Sequence, residues 1–191
     1  MAPMIILAAL QEEIPTLHTE PDVFVTGLGM VNAALAATKL IMEHTPSLVV
    51  NFGTAGSISS KYANRLVECT GFIQRDMDCS PLGFEKYVTP YEEGHYLIGT
   101  PEIVCGSGDS FMTDAGGLPA SGVHIVDMEA YAIAKVCREF GISFRCFKYI
   151  SDNADENASE HWSTFAHAKA EKLFVEQLAT IRAEINSPRV N

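Results

Sequence analysis

Glu12 and Glu13 follow the apolar run "MIILAAL" with only Gln11 between. Asp127 and Glu129 flank Met128 in "HIVDMEAYAIAKVC", and Asp152 and Asp155 follow an apolar run in "KYISDNAD". Carboxyl groups at the ends of apolar runs suit reactions that need one acid and one base, because burial and neighbouring charge push two carboxyl pKa values apart. Helix capping is the competing reading. One acid near a helix N-terminus gains about 0.3–1 kcal/mol from the helix dipole, which accounts for Asp127 or Glu129 but not for both. Asp152 has the same alternative as an N-cap, although Ser151 beside it is placed to orient a working carboxyl group. "NFGTAGS" offers backbone N–H groups from Gly53 to Gly56 and the Thr54 hydroxyl as a cradle for an anion or a sugar, and a plain strand-to-helix turn would use the same glycines. No arginine stands beside that stretch and only Lys61 follows closely, so a phosphate there lacks its usual bidentate partner.

Other motifs argue mainly by exclusion. "TGLGMVNAA" has the setting of a dinucleotide cradle, but Asn32 holds the third glycine position and tight turns explain the remaining glycines. His18, His44, His95, His124, His161 and His167 show neither HxxxH nor HExxH spacing, which speaks against a metal site. "GSGDS" has Gly where a nucleophile elbow needs serine, so Ser-His-Asp chemistry is not expected. Phe111 and Trp162 suit either core packing or stacking on a ligand. No cofactor is implied.

These residues need elements to hold them. Short apolar runs at Met4 to Leu10, Val23 to Thr26, Ser47 to Asn51, Ile103 to Cys105, His124 to Val126 and Phe144 to Ile150 lack alternation and predict strands covered on both faces. Helical stretches run from Val31 to His44, from Glu129 to Phe140, and as one long helix from about Trp162 to Ile185. Strands alternating with helices predict a three-layer α/β/α domain around a mixed, largely parallel sheet, with residues 1–191 as a single domain. Lys61 to Gly99 is richer in β-type residues, Gly and Pro, and predicts antiparallel or edge strands with an exposed loop near "SPLGFEKY". In such sheets ligands bind beyond the carboxyl ends of the strands, which is where the acids lie.

The bulk numbers narrow the partners. The chain has 191 residues, 47% of them hydrophobic, enough for one substantial core. Thirteen basic against 24 acidic residues give a net charge of −11, which argues against nucleic acid or an anionic membrane and favours a small ligand. Five cysteines without a CxxC pair read as reduced thiols and a cytoplasmic setting. "MIILAAL" meets acids at once and has no basic leader, so it reads as a buried strand rather than a signal peptide or membrane span.

In order, "AALQEEI", "TGLGMVNAA", "NFGTAGS", "DMD" followed by "LGF", "GSGDSFM", "VDMEAYAIAKVC" and "ISDNAD" resemble the purine nucleoside phosphorylase superfamily over nearly the whole chain. Within it, the 5′-methylthioadenosine/S-adenosylhomocysteine nucleosidases are the nearest likeness. The resemblance implies hydrolysis of a purine N-glycosidic bond. It places Glu13 as the carboxylate that activates water and Asp152 as the acid at the departing base, with Ser151 beside it. Met128 and Glu129 would hold the ribose, Thr54 would help hold the water, and Phe111 would stack on the base with Met112 adjoining. Leu10, Leu28 and Trp162 would line the pocket for the 5′-substituent, with Cys79 and Leu82 reaching in from the partner of a homodimer. Ala55, Gly56 and Val126 complete the implied substrate-binding set. Lys148 stands where many nucleosidases have an arginine near the water and sugar, and the stretch between Ile14 and Val23 is shorter than in typical members. Two alternatives remain: phosphorolysis, disfavoured because two acids after the first strand would repel a phosphate dianion, and a non-catalytic nucleoside-binding module, disfavoured because a binder would not need the water-activating Glu13 beside Glu129 and Asp152.

Overall fold

The computed structural model describes residues 4–92, 96–98, 102–116, 118–165 and 167–186. His95 and part of the Lys61 to Gly99 stretch therefore lie outside the described residues. Nine strands form one sheet: β1 (Met4–Ala8), β2 (Val23–Val25), β3 (Leu48–Ser57), β4 (Leu66–Cys69), β5 (Gly71–Gln74), β6 (Tyr96–Leu97), β7 (Val104–Ser107), β8 (Ile125–Asp127) and β9 (Ser143–Asp152). Among the described residues four α-helices accompany them: α1 (Met30–His44), α2 (Ala130–Phe140), α3 (Ala158–Thr164) and α4 (His167–Asn186).

The apolar strands are covered on both faces, as their unbroken hydrophobic runs require. Ile5, Leu7 and Val49 pack toward α1 and α2, against Ala33, Ala37, Leu40, Ile41, Ile133 and Cys137. Their strand neighbours Ile6, Ala8, Val50 and Phe52 point the other way, toward Phe174, Leu178 and Ile181 of α4. Phe52 stacks on Phe174 with ring centroids 4.3 Å apart. The result is the expected three-layer α/β/α arrangement. The small side chains Ala33 and Ala37 let α1 lie close, and α1 stops where Thr45 turns left-handed just before Pro46. Gly141, at φ +65°, ends α2 in the conformation glycine adopts without strain.

The sheet is mixed and largely parallel, but it is not a simple open layer. β3 pairs with β1 from Leu48 to Asn51 and with β9 from Leu48 to Gly56. Where β1 ends, that edge of β3 stays unladdered until Gly56 and Ser57 meet β8 in antiparallel register. From β8 the ladder continues through β7 to β5, and β5 is joined through Thr70 to β4, which pairs with β9. A closed ring of strands therefore runs through β3, β8, β7, β5, β4 and β9, with β1 and β2 as a flap beside it.

Two sequence expectations need correction. Asn51 to Ser57 is not a turn into a helix: it is the second half of β3, stabilised by pairing with Cys146 to Asp152. The long C-terminal helix is broken into α3 and α4, because Phe165 turns extended (φ −67°, ψ 139°) and packs its ring 4.8 Å from that of Tyr149. The break sets Trp162 and Phe174 on different helices. No helix among the described residues is long and apolar enough to cross a membrane.

Candidate active site

The gap on the edge of β3 is filled by a carboxylate. Beyond Asn51 the Thr54 N–H has no strand partner on that side and donates instead to Glu13 Oε1 at 2.7 Å. The Thr54 hydroxyl donates to the same oxygen at 2.7 Å and accepts from Trp162 Nε1 at 2.9 Å. Glu13 Oε2 accepts only a longer bond from Leu10 N, at 3.3 Å. One carboxylate oxygen is thus saturated while the other keeps free acceptor capacity. Glu13 is held in a single 3₁₀ turn, Gln11–Glu13, and is buried, whereas Glu12 is exposed.

Asp152 ends β9. Gly56 pairs with Asp152 and Ala55 with Ile150, so Ser151 is the extra residue of a bulge. The Ser151 hydroxyl donates to Asp152 Oδ2 at 2.8 Å, and Ala154 N–H donates to Oδ1 at 2.9 Å. A Cβ at residue 56 would lie 2.6 Å from Asp152 Oδ1, so glycine is what lets this carboxyl group lie against β3. Burial raises the Asp152 pKa above the ordinary aspartate value, against the lowering effect of these two hydrogen bonds.

Between them lies a buried charge cluster. Glu129 accepts from Gly29 N–H at 2.9 Å, and its pKa is pushed up to about 7, first by burial and then by the Asp127 charge. Asp127 accepts from Ala130 N–H at 2.9 Å, which is the cap expected of it, and also from the Ser107 hydroxyl. It does more than cap. Lys148 Nζ lies 2.8 Å from Asp127 Oδ2 with both side chains sealed from solvent. Burial disfavours the Lys148 charge, but the carboxylates around it, Asp127 foremost, hold its pKa well above the usual lysine value. A Cβ on Gly53 would lie 3.2 Å from Lys148 Nζ and 3.1 Å from Glu13 Oε1, so the ammonium and the Glu13 carboxylate approach β3 at the same glycine.

A cavity of about 260 Å³ opens above this cluster. It gathers Glu13, Thr54, Ala55, Gly56, Phe111, Met112, Val126, Met128, Glu129, Ser151, Asp152, Leu10, Leu28 and Trp162; of the expected site residues, Lys148 and the partner-assigned Cys79 and Leu82 do not line it. A model of the phosphorylase superfamily matches residues 14–107 and 104–185. The chain belongs to this superfamily. It is 31% identical to a 5′-methylthioadenosine/S-adenosylhomocysteine nucleosidase of Exiguobacterium sp., over 73% of this chain and 70% of that protein. A protein of the same description from Halalkalibacterium halodurans is also 31% identical, over 73% and 71%. Among solved structures, a mutant of the Helicobacter pylori nucleosidase with 5′-methylthioadenosine in its active site superposes with a TM-score of 0.85. It is 22% identical, and the match covers 94% of this chain and 99% of that one. A futalosine hydrolase mutant from the same species gives 0.81 at 23% identity, over 90% and 94%.

As a member of the phosphorylase superfamily, the chain departs from two sequence expectations at this site. Lys148 does not border the cavity. Paired to Asp127 beneath the floor, it acts on the site through charge rather than by contact. The expectation that no arginine stands near the cradle holds along the sequence but not in space, because Arg75 reaches the cavity wall from the end of β5. Its Nη2 donates to Gly108 O at 3.0 Å and to Ser110 O, and its Nη1 donates to Ser110 Oγ at 3.2 Å. Arg75 thereby shapes the loop that presents Phe111. Asp76 supports the same loop by accepting from Asp109 N–H at 2.8 Å. Asp109 in turn caps α1, accepting from Met30 N–H at 2.6 Å. Arg75 and Ser110 were not anticipated; the signal available was that Arg75 directly follows a strand at the ligand-binding end of the sheet.

Proposed function

We propose that this superfamily member is a purine nucleosidase that hydrolyses the N-glycosidic bond of 5′-methylthioadenosine and S-adenosylhomocysteine, releasing adenine. The observation that carries the reading is the unequal treatment of two carboxyl groups in one cavity. Glu13 is tethered through Oε1 while Oε2, bonded only at 3.3 Å to Leu10 N–H, keeps acceptor capacity, and Asp152 is buried and shifted toward its protonated form. Cleaving the C1′–N9 bond builds positive charge on the sugar and negative charge on the purine. Asp152 donates its proton to the purine as the bond breaks, and Glu13 Oε2 takes a proton from the attacking water. Glu129 accepts from the ribose hydroxyls, and Met128 packs beneath the sugar. Phe111, 47% exposed at the cavity wall, closes over the base with Met112. Leu10, Leu28 and Trp162 receive the 5′-substituent, and Trp162 also fixes the Thr54 hydroxyl.

Phosphorolysis fits less well. Glu13, Asp127 and Glu129 surround one buried ammonium already committed to Asp127, and the terminal nitrogens of Arg75 are spent on Gly108 and Ser110. A phosphate dianion would meet net negative charge. Adenine release from 5′-methylthioadenosine without phosphate is the expected result, followed by the ultraviolet change on base release. Release that requires phosphate would overturn the hydrolytic reading. The working form is a homodimer through α1, where Val31, Leu35 and Met42 are 76%, 69% and 68% exposed, with Cys79 and Leu82 of the 3₁₀ segment after β5 serving the partner's 5′-pocket.

A further inference from the structure

Hydrolysis leaves a proton in the wrong place. At the end of a turnover Asp152 has lost a proton to the purine and Glu13 has gained one from water, so the next cycle requires a proton to return to Asp152 while Glu13 gives one up. The substrate cavity is a poor route for this return, since product and the next substrate fill it. A second cavity offers another. It has a volume of about 460 Å³ and is lined by Asn64, Asn153, His161, Thr164 and Lys169, with Tyr149 at its base. Ser151 and Asp152 belong to the walls of both cavities. The partition between the two spaces is therefore the leaving-group acid itself, together with the hydroxyl that donates to its Oδ2. On the far side the lining is mixed: Asn64, Asn153, His161 and Lys169 are exposed polar groups set among Ala63, Ile150 and Phe165, and the buried Tyr149 hydroxyl has no hydrogen-bond partner among the described residues.

We propose that the second cavity is the proton-return route for Asp152, with His161 as the donor and the Ser151 hydroxyl as the relay. This rests on the nucleosidase reading above. In the step, an N–H bond of the His161 imidazolium breaks and its proton passes to Ser151 Oγ. The Ser151 O–H proton moves to Asp152 Oδ2, forming the acid anew, and neutral His161 takes a proton from buffer. No oxidant or cofactor is needed. The charged groups that bear on Asp152 from this side are Asp155, which follows β9, and His161 of α3, while Lys169 of α4 lines the same cavity. Asp155 favours the protonated form of Asp152, and the His161 charge favours its ionised form, so a proton passed from His161 to Asp152 removes the charge that opposes it.

The experiment is rapid-quench measurement of adenine released from 5′-methylthioadenosine by the full chain, comparing wild type with His161→Gln. The expected result for the variant is a first turnover at the wild-type rate followed by turnovers slowed about 10-fold or more, the lower range of acid–base contributions. Added imidazole should restore the slow phase. Thr164→Trp, which fills the second cavity without touching the first, should give the same split without imidazole rescue. First and later turnovers falling together, or neither changing, would overturn the proton-return route while leaving hydrolysis intact. Absence of adenine release from the wild type would instead overturn the nucleosidase reading.

Discussion

Asp152 and Glu129 are two buried carboxyl groups whose assigned roles require opposite protonation states. Asp152→Asn keeps the shape and the bond from Ala154 N–H but removes the transferable proton. Turnover should fall by about 10²–10⁴-fold, with the melting temperature little changed; near-normal turnover would remove Asp152 from the role of acid. In its proposed role Glu129 must be ionised to accept from the ribose hydroxyls, and a pKa pushed up to about 7 makes that a condition of the assay. kcat/KM, which reports the free enzyme, should rise with pH through about 7, and Glu129→Gln should lose this limb. Stability runs the other way. The folded chain holds the Glu129 proton more tightly than the unfolded chain does, so this contribution is present below the ordinary value of 4.5 and is lost as pH rises to about 7. Thermal melts across that range should fall more steeply for the wild type than for Glu129→Gln.

At the scale of elements, the site depends on how a short 3₁₀ turn is tied down. Glu171 of α4 is buried, and its Oε1 accepts from Thr16 N–H at 2.8 Å and Leu17 N–H at 2.7 Å, anchoring the chain just after Glu13. Glu171→Ala leaves both donors unpaired and should cost about 1–3 kcal/mol, seen as a lower denaturation midpoint together with a lower kcat because Glu13 loses its backing. Glu13, Glu129 and Asp152 were legible in the sequence because each follows an apolar strand at the edge where such sheets bind ligands. Strand order was less legible. Nothing local in "NFGTAGS" distinguishes a turn from a strand, since its extended state is fixed by pairing with β9, remote in sequence. Arg75 escaped notice for the same reason: its partners Gly108 and Ser110 come from another loop. The break at Phe165 is likewise a tertiary effect, won by burial against Tyr149 rather than by any proline or glycine.

For the molecule as a whole, the exposed apolar side of α1 is the feature that solution behaviour must answer. If the proposed homodimer forms through α1, Leu35→Arg should convert it to a monomer in sedimentation and raise KM more than it lowers kcat, because the proposed partner contribution to the 5′-pocket is lost. An unchanged mass would place the interface elsewhere. The closed ring of strands has a further consequence, for the order in which the chain matures. β3 is made early and β9 late, yet Leu48 pairs with Ser143 and Gly56 with Asp152, so the ring cannot shut until the last strand has threaded between β3 and β4. Contacts between such distant segments form slowly. Asp152, the proposed leaving-group acid, rides on the closing strand, so a chain caught before closure already holds β1, α1 and Glu13 but should lack activity. On dilution from denaturant, helical signal should therefore return first and adenine release only with the slowest phase, making enzymatic activity the clock of the final folding step.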